Sequence, residues 1–149
     1  MKLLAELVAA ADAADRLVWL TLMERPDAMT LAVVDDDDDV RTALNRLLRA
    51  MGYQVVGFAS AEDFEARMVE VDCAIVDMRL PGVGGLELCE RLRQRPTPIP
   101  VVLVTGDAHR VDADLPAPET PFLNKPFDET SLSNAIADAM ASVAASRAD

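Results

Sequence analysis

Leu31-Ala32-Val33-Val34-Asp35-Asp36-Asp37-Asp38-Asp39 is an apolar run that breaks directly into five consecutive aspartates. The run suits a buried strand, so the acids fall where that strand ends. Two carboxylates about 4 Å apart repel by roughly 4 kcal/mol at an effective dielectric near 20, and such a cluster asks for a cation. The plainer reading is a solvated loop whose acids favour the N-terminus of the next helix through its dipole. Residues far downstream, Asp77, Thr105 and Lys125, decide between the two.

Working outward from residue 30, short apolar runs alternate with amphipathic stretches. Strands are expected at Leu31 to Val34, Gln54 to Phe58, Cys73 to Val76, Val101 to Val104 and Pro121 to Asn124. This alternation predicts an α/β fold, a parallel sheet with helices on both faces. Val40, Leu44, Leu47, Leu48 and Met51 recur at helical spacing, and Gly52 stands at the C′ position. Ser60, followed three residues later by an acid, caps a second helix that carries Phe64 and Met68. A third runs from Gly85 to Arg95, burying Leu88, Cys89 and Leu92. The last begins near Asp128, with Leu132, Ile136, Ala139, Met140 and Val143 on one face. Between strands four and five, Pro116, Pro118 and Pro121 interrupt the pattern, because proline lacks the donor and clashes inside a helix. The expectation there is a short or distorted fourth helix, limited to Val111 to Leu115.

The 149 residues, 51% apolar and 27% charged, suit one core-forming domain that needs no staples. A net charge of −12, with the 14 basic residues scattered, argues against direct nucleic-acid binding and against anionic membranes. Cys73 and Cys89 lack zinc or redox spacing and are expected as buried small residues. His109 is the single histidine, so a histidine metal site or Ser/His triad has little support. Glu6, Asp12, Asp15 and Arg16 break up any signal or membrane segment, which points to a cytoplasmic protein. Residues 1–29 place Leu4, Leu7, Val8, Ala11, Val18 and Leu22 near one helical stripe that Pro26 stops. They are an extra N-terminal helix serving docking or homodimerisation, or a non-native extension ahead of Met29; both readings stand. Residues 30–143 form the domain proper, and the Ala- and Ser-rich residues 144–149 read as a fraying tail.

In such a sheet, ligands bind beyond the carboxyl ends of the strands. Asp35 and Asp36 end strand one, Asp77 strand three, Thr105 strand four and Lys125 strand five, so these residues project from one edge. Three acids suit a hard divalent ion such as Mg²⁺, which keeps waters and phosphate oxygens in its shell. An ionised Asp77 is then a nucleophile toward phosphorus. Lys125 and the Thr105 hydroxyl answer the phosphoryl oxygens, while Gly106 leaves the phosphorus open. Asp37 to Asp39 cap and begin the first helix.

The segments Val33-Val34-Asp35-Asp36, Ile75-Val76-Asp77-Met78-Arg79-Leu80-Pro81-Gly82, Val104-Thr105-Gly106 and Asn124-Lys125-Pro126-Phe127 resemble the receiver domain of two-component response regulators. The likeness is greatest to receivers at the N-terminus of nitrogen-fixation regulators, and it spans residues 30 to about 143. It implies a flavodoxin-like, doubly wound five-stranded sheet in the order 2-1-3-4-5. It also implies Asp77 as phosphoacceptor and Mg²⁺ on Asp35, Asp36, Asp77 and the Arg79 main-chain carbonyl. Thr105 and Phe122 become the switch residues, working with Lys125, and the Lys125–Pro126 peptide is expected to be cis.

The implied partners are a sensor histidine kinase or phosphotransfer protein and a downstream protein target. The chain is then not an enzyme in the usual sense but catalyses its own phosphorylation and dephosphorylation. The proline-rich break departs from the family pattern and puts the usual output surface and dimer mode in question. Alternatives are a phosphate sink or relay intermediate, the receiver part of a DNA-binding regulator, and a pseudo-receiver. More remote is an aspartate-nucleophile phosphatase using Asp35 of the Asp35-Asp36-Asp37 pattern.

Overall fold

The computed structural model describes residues 29–67, 69–106 and 120–148. The N-terminal extension through residue 28, with its docking or dimerisation reading, lies outside the described residues, as do Met68, His109 and the short fourth helix.

Strands β1 (Thr30–Val34), β2 (Gln54–Phe58), β3 (Cys73–Asp77), β4 (Val101–Thr105) and β5 (Phe122–Asn124) form one parallel sheet in the order β2-β1-β3-β4-β5. This is the flavodoxin-like arrangement expected from the sequence. Helices α1 (Asp38–Ala50), α2 (Ala61–Arg67), α3 (Gly85–Arg93) and α4 (Glu129–Ala148) complete the described elements. Residues 144–148, assigned above to the tail, continue the α4 helix, for which their alanines have high propensity.

Side chains alternate across a strand, and here both faces are apolar because both are covered. On one face Ala32, Val34, Phe58, Val76 and Leu103 pack with Phe64 of α2 and Leu88, Cys89 and Leu92 of α3. On the other, Leu31, Val33, Ile75 and Val102 pack with Leu44 and Leu48 of α1 and Leu132 and Ile136 of α4. Fully burying each such Leu or Ile stabilises the fold by about 1.5–3 kcal/mol. Phe58 and Phe64 meet edge to face at 5.1 Å, holding α2 against the sheet.

The local signals act as their chemistry requires. Asp37 caps α1, its side chain accepting from the amides of Asp39 at 2.9 Å and Val40 at 3.3 Å. Gly52, at φ 101°, takes the left-handed C′ position beyond the Met51 C-cap. Ser60 Oγ accepts from the Asp63 amide at 3.0 Å at the start of α2. Both cysteines are buried and free, and burial pushes the Cys73 thiol up to about 12 and the Cys89 thiol up to about 11.

Candidate functional site

Strand register builds the site. Val34 of β1 pairs with Val76 of β3, so Asp35 and Asp77 follow one residue later on neighbouring strands. Asp35 is 2% exposed, and a carboxylate so buried needs partners. Its Oδ1 accepts from the Asp37 amide at 2.9 Å, and its Oδ2 from Lys125 Nζ at 3.3 Å. Asp77 is half-buried; its Oδ1 accepts from the Arg79 amide at 3.1 Å, and its Oδ2 lies 3.6 Å from Lys125 Nζ. Asp36 is exposed. One carboxylate oxygen from each of Asp35, Asp36 and Asp77 lies within 4.8 Å of the others.

Charge in this cluster is finely opposed. Burial pushes the Asp77 carboxyl above the ordinary carboxylate range, and the negative neighbours Asp35 and Asp36 push the same way. The Arg79 amide and the Lys125 ammonium pull it back. Three carboxylates face one ammonium, so negative charge remains in excess, and every donor is a hard oxygen. That donor set fits a divalent cation.

The remaining expected residues lie on β4, on and just after β5, and in the turn after β3. Thr105 is buried at the end of β4, and its carbonyl accepts from the Lys125 amide at 2.8 Å, tying the two strand ends together. The Lys125–Pro126 peptide is cis, as expected. Phe122 opens β5 opposite Leu103 and is 37% exposed. Arg79 stands in the turn after Asp77, and the amide of Gly85 closes that turn onto the Met78 carbonyl at 3.2 Å. A Cβ at Gly85 would lie 2.1 Å from the Asp77 carbonyl oxygen, so any larger residue there pushes on the backbone of the site.

The sequence reading missed Arg41. Its Nη1 donates to the Asp35 carbonyl at 2.7 Å, and its Nη2 meets the Asp38 carboxylate. The available signal was a basic residue one turn into an otherwise acidic helix start, directly after the aspartate run. Among the described residues no helix is long and apolar enough to cross a membrane.

The family model for the response regulator receiver domain matches residues 31–137. The chain is 35% identical over 115 residues to the transcriptional regulatory protein FixJ of Azorhizobium caulinodans, covering 74% of this chain and 54% of that protein. It is 33% identical over 112 residues to the response regulator protein TmoT of Ectopseudomonas mendocina, covering 72% and 51%. The chain thus spans about half the length of the curated relatives it matches. A CheY-like response regulator receiver domain from Methylobacillus flagellatus superposes with a TM-score of 0.64 at 26% identity, covering 76% of this chain and 99% of that one. With the family model aligned to more than half of its length, the chain belongs to the response regulator receiver domains, the phospho-accepting modules of two-component systems.

Proposed function

We propose that Asp77 accepts the phosphoryl group in a site completed by Asp35, Asp36, Thr105 and Lys125. The observation that carries this reading is the convergence of three carboxylate oxygens within 4.8 Å, with Lys125 Nζ reaching both Asp35 and Asp77. Asp35, Asp36, Asp77 and the main-chain carbonyl of Arg79 would hold Mg²⁺. When bound, the ion supplies positive charge that offsets the repulsion between these acids and an incoming phosphoryl group.

The donor is a phosphohistidine on a sensor kinase or phosphotransfer protein. The Asp77 carboxylate attacks phosphorus; an O–P bond forms as the N–P bond breaks, and the imidazole leaves. Lys125 offsets charge on the equatorial oxygens, and the Thr105 hydroxyl donates to one of them. Attack by water on phosphorus later breaks the O–P bond, releasing inorganic phosphate and restoring the carboxylate.

While it lasts, the group adds about two negative charges and strong acceptors. Thr105 and Lys125 are drawn toward it, Phe122 turns inward, and the population of the signalling state rises. The output is contact with a downstream protein in the cytoplasm. The half-length match to a protein named as a transcriptional regulator favours a second reading, in which this chain is the receiver part of a DNA-binding regulator.

Incubation with radiolabelled acetyl phosphate and Mg²⁺ tests the assignment. Wild type takes up label, Asp77→Asn takes up none, and Asp35→Asn takes up far less. Label retained in Asp77→Asn and lost in Asp35→Asn would instead make Asp35 the nucleophile, as in an aspartate-nucleophile phosphatase. The burial of Asp35 and its two hydrogen bonds speak against that outcome.

A further inference from the structure

Three elements meet at the backbone of Asp35, between the peptide before it and the peptide that joins it to Asp36. The Asp35 amide donates to the Phe58 carbonyl at the end of β2, at 3.1 Å. The Asp35 carbonyl, which belongs to the Asp35–Asp36 peptide, accepts from Arg41 Nη1 at 2.7 Å. The Arg41 side chain is 21% exposed, and its other nitrogen is steadied by Asp38. Its methylenes lie across Gly57 of β2, where a Cβ would fall 3.1 Å from Arg41 Cδ and 3.2 Å from Cγ. A glycine inside a strand marks such a close approach. Here it leaves a slot through which the arginine stem passes from α1 to the end of β1.

We propose that Arg41 is a positioning residue for the acid pair: by gripping the peptide between Asp35 and Asp36 it sets their spacing toward a divalent cation, and Gly57 provides the slot its stem requires. The proposal rests on the metal reading above. Arg41 touches the peptide and no proposed ligand oxygen, so it acts through the backbone. A guanidinium donating to a carbonyl is a charge-assisted bond with fixed geometry, which lysine, with a single flexible ammonium, does not reproduce.

The sign of the effect separates positioning from plain electrostatics. Arg41 is a positive charge beside a cation site, so by Coulomb's law alone its removal tightens binding. Loss of positioning weakens it, as loss of groups that orient metal ligands does, by roughly tenfold or more. The measurement is calorimetric titration of the full chain with Mg²⁺ alone, with circular dichroism confirming that each variant is folded.

Arg41→Ala is expected to bind Mg²⁺ about tenfold more weakly, and Arg41→Lys, which keeps the charge, also more weakly than wild type. Gly57→Val, whose branches displace the Arg41 stem, is expected to weaken binding in the wild-type background and to add nothing to Arg41→Ala. Arg41→Ala binding as tightly as wild type, or more tightly, overturns the proposal; if that variant does not fold, Arg41→Lys decides by the same criterion. An equal loss from Gly57→Val with and without Arg41 overturns the slot. Absence of Mg²⁺ binding by wild type would remove the metal reading itself, and this proposal with it.

Discussion

The two sides of the site are built from different material. Asp35 directly follows β1 and Asp77 ends β3, strands flanked by neighbours on both sides, and all five residues from Leu31 to Asp35 are buried. Lys125 instead follows β5, a three-residue edge strand whose first and last residues are exposed. The acids are also held by nearby groups: the backbone amide of Asp37 on Asp35, the backbone amide of Arg79 on Asp77, and the Arg41 guanidinium on the peptide after Asp35. The acids proposed above to hold a divalent ion follow or end two interior strands whose register sets their spacing, with Asp35 buried and Asp36 exposed. Of the groups proposed above to respond to a phosphoryl group, Lys125 and Phe122 sit on or beside that sparsely packed edge, whereas Thr105 is buried at the end of β4.

The largest test of this contrast is a pair of truncations. Leu48→Ala empties a fully buried position where α1 packs on the central strands. It is expected to cost about 3 kcal/mol, within the usual range of about 2–5. Phe122→Ala removes a larger side chain from the edge, yet its exposure limits the loss to less than about 1 kcal/mol. Urea denaturation of both variants gives the comparison. Equal losses would mean that the edge is as firmly packed as the centre.

A smaller effect tests whether the acid turn is anchored by its helix. Asp37→Ala removes the acceptor for two amides at the start of α1 and should cost about 1 kcal/mol in the same denaturation experiment. That the later acids of the run cap and begin α1 was legible in the sequence, because a strand end followed by acids at a helix start leaves those acids to the helix. The central strands were legible too, since a strand buried on both faces reads as an unbroken apolar run, and Val101 to Val104 needed only Thr105 added. Strand β5 was read one residue too long, at Pro121, which cannot donate to the ladder. Arg41 and Gly57 were not legible as a pair, because their contact crosses from a helix to the outer strand, and only the folded register brings them together. Composition marked residues 144–149 as a tail, and helix α4 carries on to Ala148.

The smallest expected effect concerns how the switch side is tied down. Asp128 Oδ1 accepts from the Ser131 amide at 2.7 Å just before α4, the helix that packs on β4 and β5. That amide, and after it the Ser131 hydroxyl, hold the Asp128 carboxyl below its ordinary value. A carboxyl lowered on folding stabilises the fold fully above its unfolded value, about 4, and loses that contribution as pH falls through the lower folded value. Asp128→Asn keeps an acceptor but does not titrate. The difference in urea midpoint between wild type and Asp128→Asn should therefore stay constant from pH 7 down to about 4 and change below it. Glu62 is the counterpart on the acid side, lowered chiefly by the Val83 amide that donates to it at 2.6 Å, and Glu62→Gln should give a curve of the same shape. If the two sides are tied down independently, the double variant shows the sum of both curves; a shortfall would mean that α4 and the loop after Asp77 loosen together, and the division between a stiff centre and a yielding edge would have to be redrawn.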